Sequence, residues 1–199
     1  MAKICVWGDS IAWGHSDNER EGWVNRLRHY FYNAPNKKFR VYNLGVSGAI
    51  TSDLLERFEV ECKARKPEII IFAIGINDSR YIKTKGSEEI SLEEFEENIE
   101  KIIKEAKKYT QKIIFVGLTK FVESKAAPIA WDEVKYYYNK NVKLYDEKLK
   151  ETALNNNLHY IYMFDLIEDK ELEDGLHPNS KGHQKMFEKV KNFLEQNKV

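Results

Sequence analysis

Short β-rich runs recur along the chain between longer stretches of helical spacing. The runs cover residues 4–7, 39–44, 68–74, 112–117 and 159–163, each four to seven residues long. That length suits a strand and is too short for a helix. The third run contains residues 69–74, six apolar positions in a row, which suits a strand covered on both faces at the centre of a parallel sheet. Between the runs the apolar positions fall at helical intervals. Trp23, Leu27, Tyr30 and Phe31 mark one stripe, and Leu54, Leu55, Phe58 and Cys62 a second. Phe95, Ile99, Ile102, Ile103 and Ala106 mark a third, opened by Ser91 with Glu94 three residues on, the pattern of a capping box. Tyr138, Val142, Tyr145 and Leu149 mark a fourth, and Met186, Val190, Phe193 and Leu194 a fifth.

Strands alternating with helices predict a parallel sheet with helices on both faces, connected by right-handed crossovers. No repeat, low-complexity tract or linker interrupts the alternation, so one domain over residues 1–199 is expected. In such sheets, sites form beyond the carboxyl ends of the strands.

Composition narrows the function classes. Lys+Arg and Asp+Glu are both 32, so the net charge is zero and a broad basic face for nucleic acid is not expected. A membrane span needs about 20 apolar residues in succession, so none is expected. Two cysteines, Cys5 and Cys62, lie in apolar-patterned stretches and read as buried free thiols. The N-terminal residues carry no basic, apolar and small-residue succession of the secretory kind, so a cytoplasmic location is the expectation. The sequence does not indicate an oligomeric state.

The segments after the strands hold the candidate chemistry. After the first comes Gly8-Asp9-Ser10, a turn that can present a serine hydroxyl. After the second comes Asn43-Leu44-Gly45-Val46-Ser47-Gly48, with two glycines that let backbone N–H groups approach a ligand. After the third comes Gly75-Ile76-Asn77-Asp78, where the Asn77 amide can donate to an oxyanion and Asp78 reads as its structural neighbour. After the fifth comes Asp174-Gly175-Leu176-His177-Pro178, where a carboxylate three residues before an imidazole can orient it on one short loop. Pro178 fits the first turn of the last helix. Each piece alone is ordinary turn chemistry. Together they place a nucleophile, a base with its orienter and oxyanion donors at one sheet edge.

This ordered set resembles the SGNH hydrolases, the GDSL-type esterases and lipases. The residues that match are Gly8-Asp9-Ser10, Gly48, Asn77, and Asp174 with His177, spread from residue 8 to residue 178. The resemblance implies a flavodoxin-like three-layer α/β/α fold with a five-stranded parallel sheet in the order 2-1-3-4-5. It implies Ser10 as nucleophile, His177 as general base and Asp174 as its orienter. It also implies an oxyanion hole made by the backbone N–H groups of Ser10 and Gly48 and the side chain of Asn77. Gly45 then serves the turn. The implied substrate is a small-molecule ester, with no metal and no cofactor.

The substrate pocket is less legible. Trp13 and the segment 118–131, with Phe121 and Trp131, offer apolar side chains near the strand ends, and His15 follows the nucleophile loop. These four residues are the candidates to line it. His183, six residues after His177, reads as a surface group or one lying behind the catalytic side chains. The tyrosines 136–138 read as packing. The rival functions are thioesterase or lysophospholipase activity, a catalytically silent relative that binds acyl or sugar ligands, and a flavodoxin-like phosphate binder. Neither Gly-x-Gly-x-x-Gly nor Gly-x-x-x-x-Gly-Lys-Ser/Thr is present to support the last of these.

Overall fold

A computed structural model describes residues 1–35, 38–84 and 86–197 of the chain. Its elements follow the predicted alternation, with short additions at the loops. The chain begins with β1 (Ala2–Gly8), a single-turn helix α1 (Ser10–Trp13), α2 (Trp23–Asn33), β2 (Phe39–Gly45), α3 (Thr51–Arg65) and β3 (Ile69–Ala73). It continues through β4 (Tyr81–Ile82), α4 (Leu92–Ala106), β5 (Ile113–Val116), α5 (Glu123–Ala126), β6 (Lys135–Tyr136), α6 (Asn139–Asn155), β7 (His159–Ile161) and α7 (Ser180–Gln196).

Five strands form one parallel sheet in the order β2-β1-β3-β5-β7, the 2-1-3-4-5 order that the resemblance implied. The all-apolar run lies in β3, whose residues Ile69 to Phe72 are buried, because helices cover both faces of the sheet there. On one side α2 packs against α7; on the other, α3 packs on α4 and α4 on α6. Trp7, Phe58 and Phe72 interlock within the core, with ring centroids 4.9 to 6.0 Å apart. Ser91 caps α4, its hydroxyl accepting from the Glu94 N–H at 3.1 Å, one half of the expected capping box. Cys5 and Cys62 are buried free thiols, and burial pushes both up to about 12. Among the described residues, no helix is long and apolar enough to cross a membrane.

Two details differ from the sequence reading. The last helix starts at Ser180, with Asn179 as its cap accepting from the N–H groups of Lys181 and Gly182, so Pro178 precedes the helix. A separate antiparallel ladder pairs β4 with β6, Tyr81 opposite Tyr136 and Ile82 opposite Lys135. Two-residue strands carry no readable period, so the alternation of apolar and polar positions could not announce it.

Candidate active site

The chain leaves β1 at Gly8 and turns at once into α1. Asp9 caps this helix by accepting from the Ile11 N–H at 2.9 Å, which puts Ser10 at the first helical position. In the order β2-β1-β3 the chain leaves β1 first for one neighbour and later returns to the other. Ser10 therefore stands at the switch point, where open α/β sheets form their crevices.

Asp174 and His177 arrive from the loop before α7. Asp174 Oδ1 accepts from the backbone N–H groups of Leu176 at 2.9 Å and His177 at 2.7 Å, which folds the loop into a tight turn. Its Oδ2 lies 2.6 Å from His177 Nδ1. An ionised carboxylate only accepts, so Nδ1 carries a proton, and in the neutral ring this leaves Nε2 as the acceptor. Ser10 Oγ lies 2.9 Å from that Nε2, across 167 residues of sequence. Burial works against the Asp174 charge, but hydrogen bonds from the ring and backbone of His177 outweigh it and bring the carboxyl down to about 2. It is therefore a carboxylate at neutral pH. A serine hydroxyl beside an imidazole nitrogen whose ring a carboxylate orients is the arrangement that nucleophilic catalysis requires.

A cavity of about 400 Å³ opens over these groups, and Ser10, His177, Gly48 and Asn77 all line it. Gly48 has φ +81, a left-handed conformation that favours glycine, and a Cβ there would meet nothing within 4 Å. Gly45 behaves differently. A Cβ at Gly45 would come within 2.3 Å of the Trp13 backbone nitrogen, so its smallness serves close packing of β2 against α1 and not the turn.

Of the four residues expected to line the pocket, two do. His15 and Trp131 are at the cavity wall and stack on the His177 ring, with centroids 4.0 Å and 5.5 Å away. Trp13 and Phe121 do not. Trp13, 54% exposed, faces a neighbouring groove with Gly14, Asn18 and Asn43. Phe121 is 2% exposed and packs under Tyr137, backing the wall without reaching the cavity. Tyr137, Arg80 and Ser47 line the cavity unforeseen. His183 lies behind the catalytic side chains and is fully buried. Its Nδ1 accepts from the Trp23 N–H at 3.3 Å, so Nε2 donates to the His15 carbonyl at 2.9 Å, tying down the loop that carries His15. The fold also brings one donor atom each of His15, Asp174 and His177 within 4.8 Å, a set that their spacing in the chain conceals. Two of these three already bond each other as described above.

Asp78 is fully buried and supports the site from beneath. Its Oδ1 accepts from the Thr51 N–H at 3.0 Å and hydroxyl at 2.5 Å, joining the loop after β3 to the start of α3. Burial pushes Asp78 up to about 6, and Asp9 up to about 7. An unfolded aspartate titrates near 3.9. The fold thus holds the Asp78 proton more tightly, and its contribution to stability is present below about pH 4 and lost as pH rises through about 6. Burial moves His183 the other way, down to about 4, so its contribution is lost as pH falls through that value. An asparagine at 78 keeps an acceptor oxygen for Thr51 and does not titrate. The melting temperature of Asp78→Asn, relative to the unmodified chain, should therefore rise between about pH 4 and pH 7. A difference that stays flat over that range would remove Asp78 as a titrating group.

Comparison with known proteins gives the family and the fold. The model of the GDSL-like lipase/acylhydrolase family matches residues 6–185. An uncharacterized lipoprotein of Bacillus subtilis (strain 168), YqeF, is 28% identical over 125 residues, covering 60% of this chain and 49% of that protein. The match thus spans about half the length of that curated relative. The crystal structure of a lipase/acylhydrolase from Enterococcus faecalis is similar with a TM-score of 0.81 at 22% identity, covering 99% of this chain and 97% of that one. Axe2, an acetylxylan esterase from Geobacillus stearothermophilus, is similar with a TM-score of 0.76 at 21% identity, covering 98% and 93%. Catalytic mutants of Axe2 change a serine, an aspartate and a histidine, the last two three positions apart.

Proposed function

The chain belongs to the GDSL-like lipase/acylhydrolase family, and from that premise we propose that it hydrolyses carboxylic esters through an acyl-enzyme formed on Ser10. The observation that carries this reading is the continuous pair of contacts from Ser10 Oγ to His177 at 2.9 Å and from His177 to Asp174 at 2.6 Å. His177 Nε2 takes the hydroxyl proton as Ser10 attacks the ester carbonyl. The oxyanion accepts from the N–H groups of Ser10 and Gly48 and from the Asn77 amide. The C–O bond breaks as His177 returns the proton to the leaving alcohol. Water then enters, gives a proton to His177 and attacks the acyl carbon; the bond to Ser10 Oγ breaks as His177 returns that proton to the serine oxygen, releasing the acid and free Ser10. The aspartate–histidine spacing of three, shared with the catalytic groups of Axe2, supports the same assignment.

The preferred substrates in this reading are small or short-acyl esters. The cavity is about 400 Å³, and its wall carries Arg80, Lys135 and Tyr137. Ile129 and Trp131 are its apolar side chains, too few to line a channel for a long acyl chain. Trp131, 53% exposed beside His177, offers a flat face to a sugar or aryl leaving group.

The test is kcat/KM over p-nitrophenyl esters of increasing acyl length. Acetate or butyrate should exceed laurate by about tenfold or more, since misfit of even a few methylenes is worth about 1–3 kcal/mol. Values that climb through the twelve-carbon ester would favour a lysophospholipase or thioesterase type of substrate. Ester binding without turnover would favour the silent relative.

A further inference from the structure

We propose that Arg80 and Tyr137 are positioning residues that lock and polarise the Asn77 amide as an oxyanion donor; the inference rests on the reading of Asn77 given above. An asparagine amide has two nearly isosteric orientations, and only one of them turns its N–H₂ toward the reacting carbonyl. Three contacts fix which one. The Ala49 carbonyl only accepts, and Asn77 Nδ2 donates to it at 3.0 Å. The Arg80 guanidinium only donates, and its Nη1 meets Asn77 Oδ1 at 3.2 Å. The Tyr137 hydroxyl donates to the same Oδ1 at 2.7 Å. One Nδ2 proton is thereby committed to Ala49, and the second remains for the cavity that Asn77 lines beside Ser10 and Gly48.

The two donors do more than choose an orientation. Both draw electron density toward Oδ1, and one carries a full positive charge, so the remaining N–H becomes a stronger donor. Arg80 is 6% exposed and lines the same cavity, so its charge also favours the negative charge that develops on the oxyanion.

The surrounding fold holds both donors in place. The Glu89 carboxylate engages Arg80 Nε, and the Glu89 N–H donates to the Arg80 carbonyl at 3.1 Å. Arg80 stands immediately before β4 and Tyr137 immediately after β6, so the small β4–β6 ladder brings the two donors together. The Asn141 side-chain amide donates to the Ser79 carbonyl, a second tie between the same two segments. Phe121 packs on the Tyr137 ring with centroids 4.9 Å apart. This assigns a purpose to a ladder that adds nothing to the main sheet.

The experiment is a double-mutant cycle with p-nitrophenyl acetate. Tyr137→Phe removes one hydroxyl and keeps the ring and its packing. It should lower kcat about tenfold, the rate equivalent of one modest hydrogen bond, with KM changed less than about twofold. In the Asn77→Ala background the same substitution should change kcat by less than about twofold, because its effect passes through the missing amide. Arg80→Lys keeps a cation opposite Glu89 but loses the guanidinium fork, and should follow Tyr137→Phe, with about a tenfold loss in the unmodified chain and less than about twofold in Asn77→Ala. Melting curves give the folded fraction to which turnover is normalised. Full kcat in Tyr137→Phe, or an equal loss in both backgrounds, would overturn the inference. Retained kcat in Asn77→Ala would instead overturn the oxyanion reading on which it stands.

Discussion

Ser10→Ala is expected to lower kcat/KM for p-nitrophenyl acetate by about 10⁴-fold or more while the fold survives. The change deletes the only atom that can form the acyl bond in this account. The structural cost is small. Ser10 loses one hydrogen bond to His177, worth about 1 kcal/mol. The helix start depends on the Asp9 side chain, which stays in place. His177 also keeps its bond to Asp174, so the base remains oriented. Steady-state rates with a thermal melt on the same preparation check this. A variant that melts normally and still turns over at the unmodified rate would move the nucleophile elsewhere.

Asn77→Ala should give the second largest loss, about 10²–10³ in kcat or roughly 2.7–4 kcal/mol of barrier, with little change in KM. The amide meets an oxyanion that exists only in the transition state, so ground-state binding is spared. The surrounding contacts add a second effect. Removing Oδ1 leaves the buried Tyr137 hydroxyl without its acceptor and Arg80 Nη1 with only the Tyr137 oxygen at 3.5 Å, and removing Nδ2 takes the amide donor from the Ala49 carbonyl. Leaving buried polar groups unpaired costs about 1–3 kcal/mol, so the melting temperature should fall as well. Turnover must therefore be normalised to folded protein. A large fall in melting temperature with normal turnover per folded molecule would reduce Asn77 to a turn residue.

The candidate catalytic groups could be read from the sequence because each sits within a few residues of a strand end or shares one short turn, and the strands have the right length and apolar content. Ser10 follows β1, Gly48 follows β2 and Asn77 follows β3, while Asp174 and His177 share a single turn. The parallel sheet then carries all of them to one edge, which makes local motifs sufficient. The supports of the site obey no such rule. Tyr137 reaches Asn77 across 60 residues through a ladder two residues long, and neither the pairing nor its register leaves a pattern. Arg80 is only three residues past Asn77, but nothing in that spacing says that its charge turns back onto the amide.

Side chains on the loops, and on the single-turn α1 that ends at Trp13, were the least legible. Trp13 and Trp131 are alike in type and exposure, yet Trp131 stacks on His177 and Trp13 faces another groove. Side-chain direction in a loop follows turn geometry and has no period to count. His183 could be placed on α7 by its helical context. Its contacts to Trp23 and His15 lie 160 and 168 residues away and depend on how α7 docks.

The central claim is that Ser10 becomes covalently acylated by the substrate. Labelling with a fluorophosphonate, followed by intact-mass measurement and peptide mapping, tests it most directly. The account predicts one adduct per chain, on the peptide that contains Ser10, and none in Ser10→Ala. An adduct on a different residue, or an unlabelled protein that nevertheless hydrolyses esters at an undiminished rate, would contradict it.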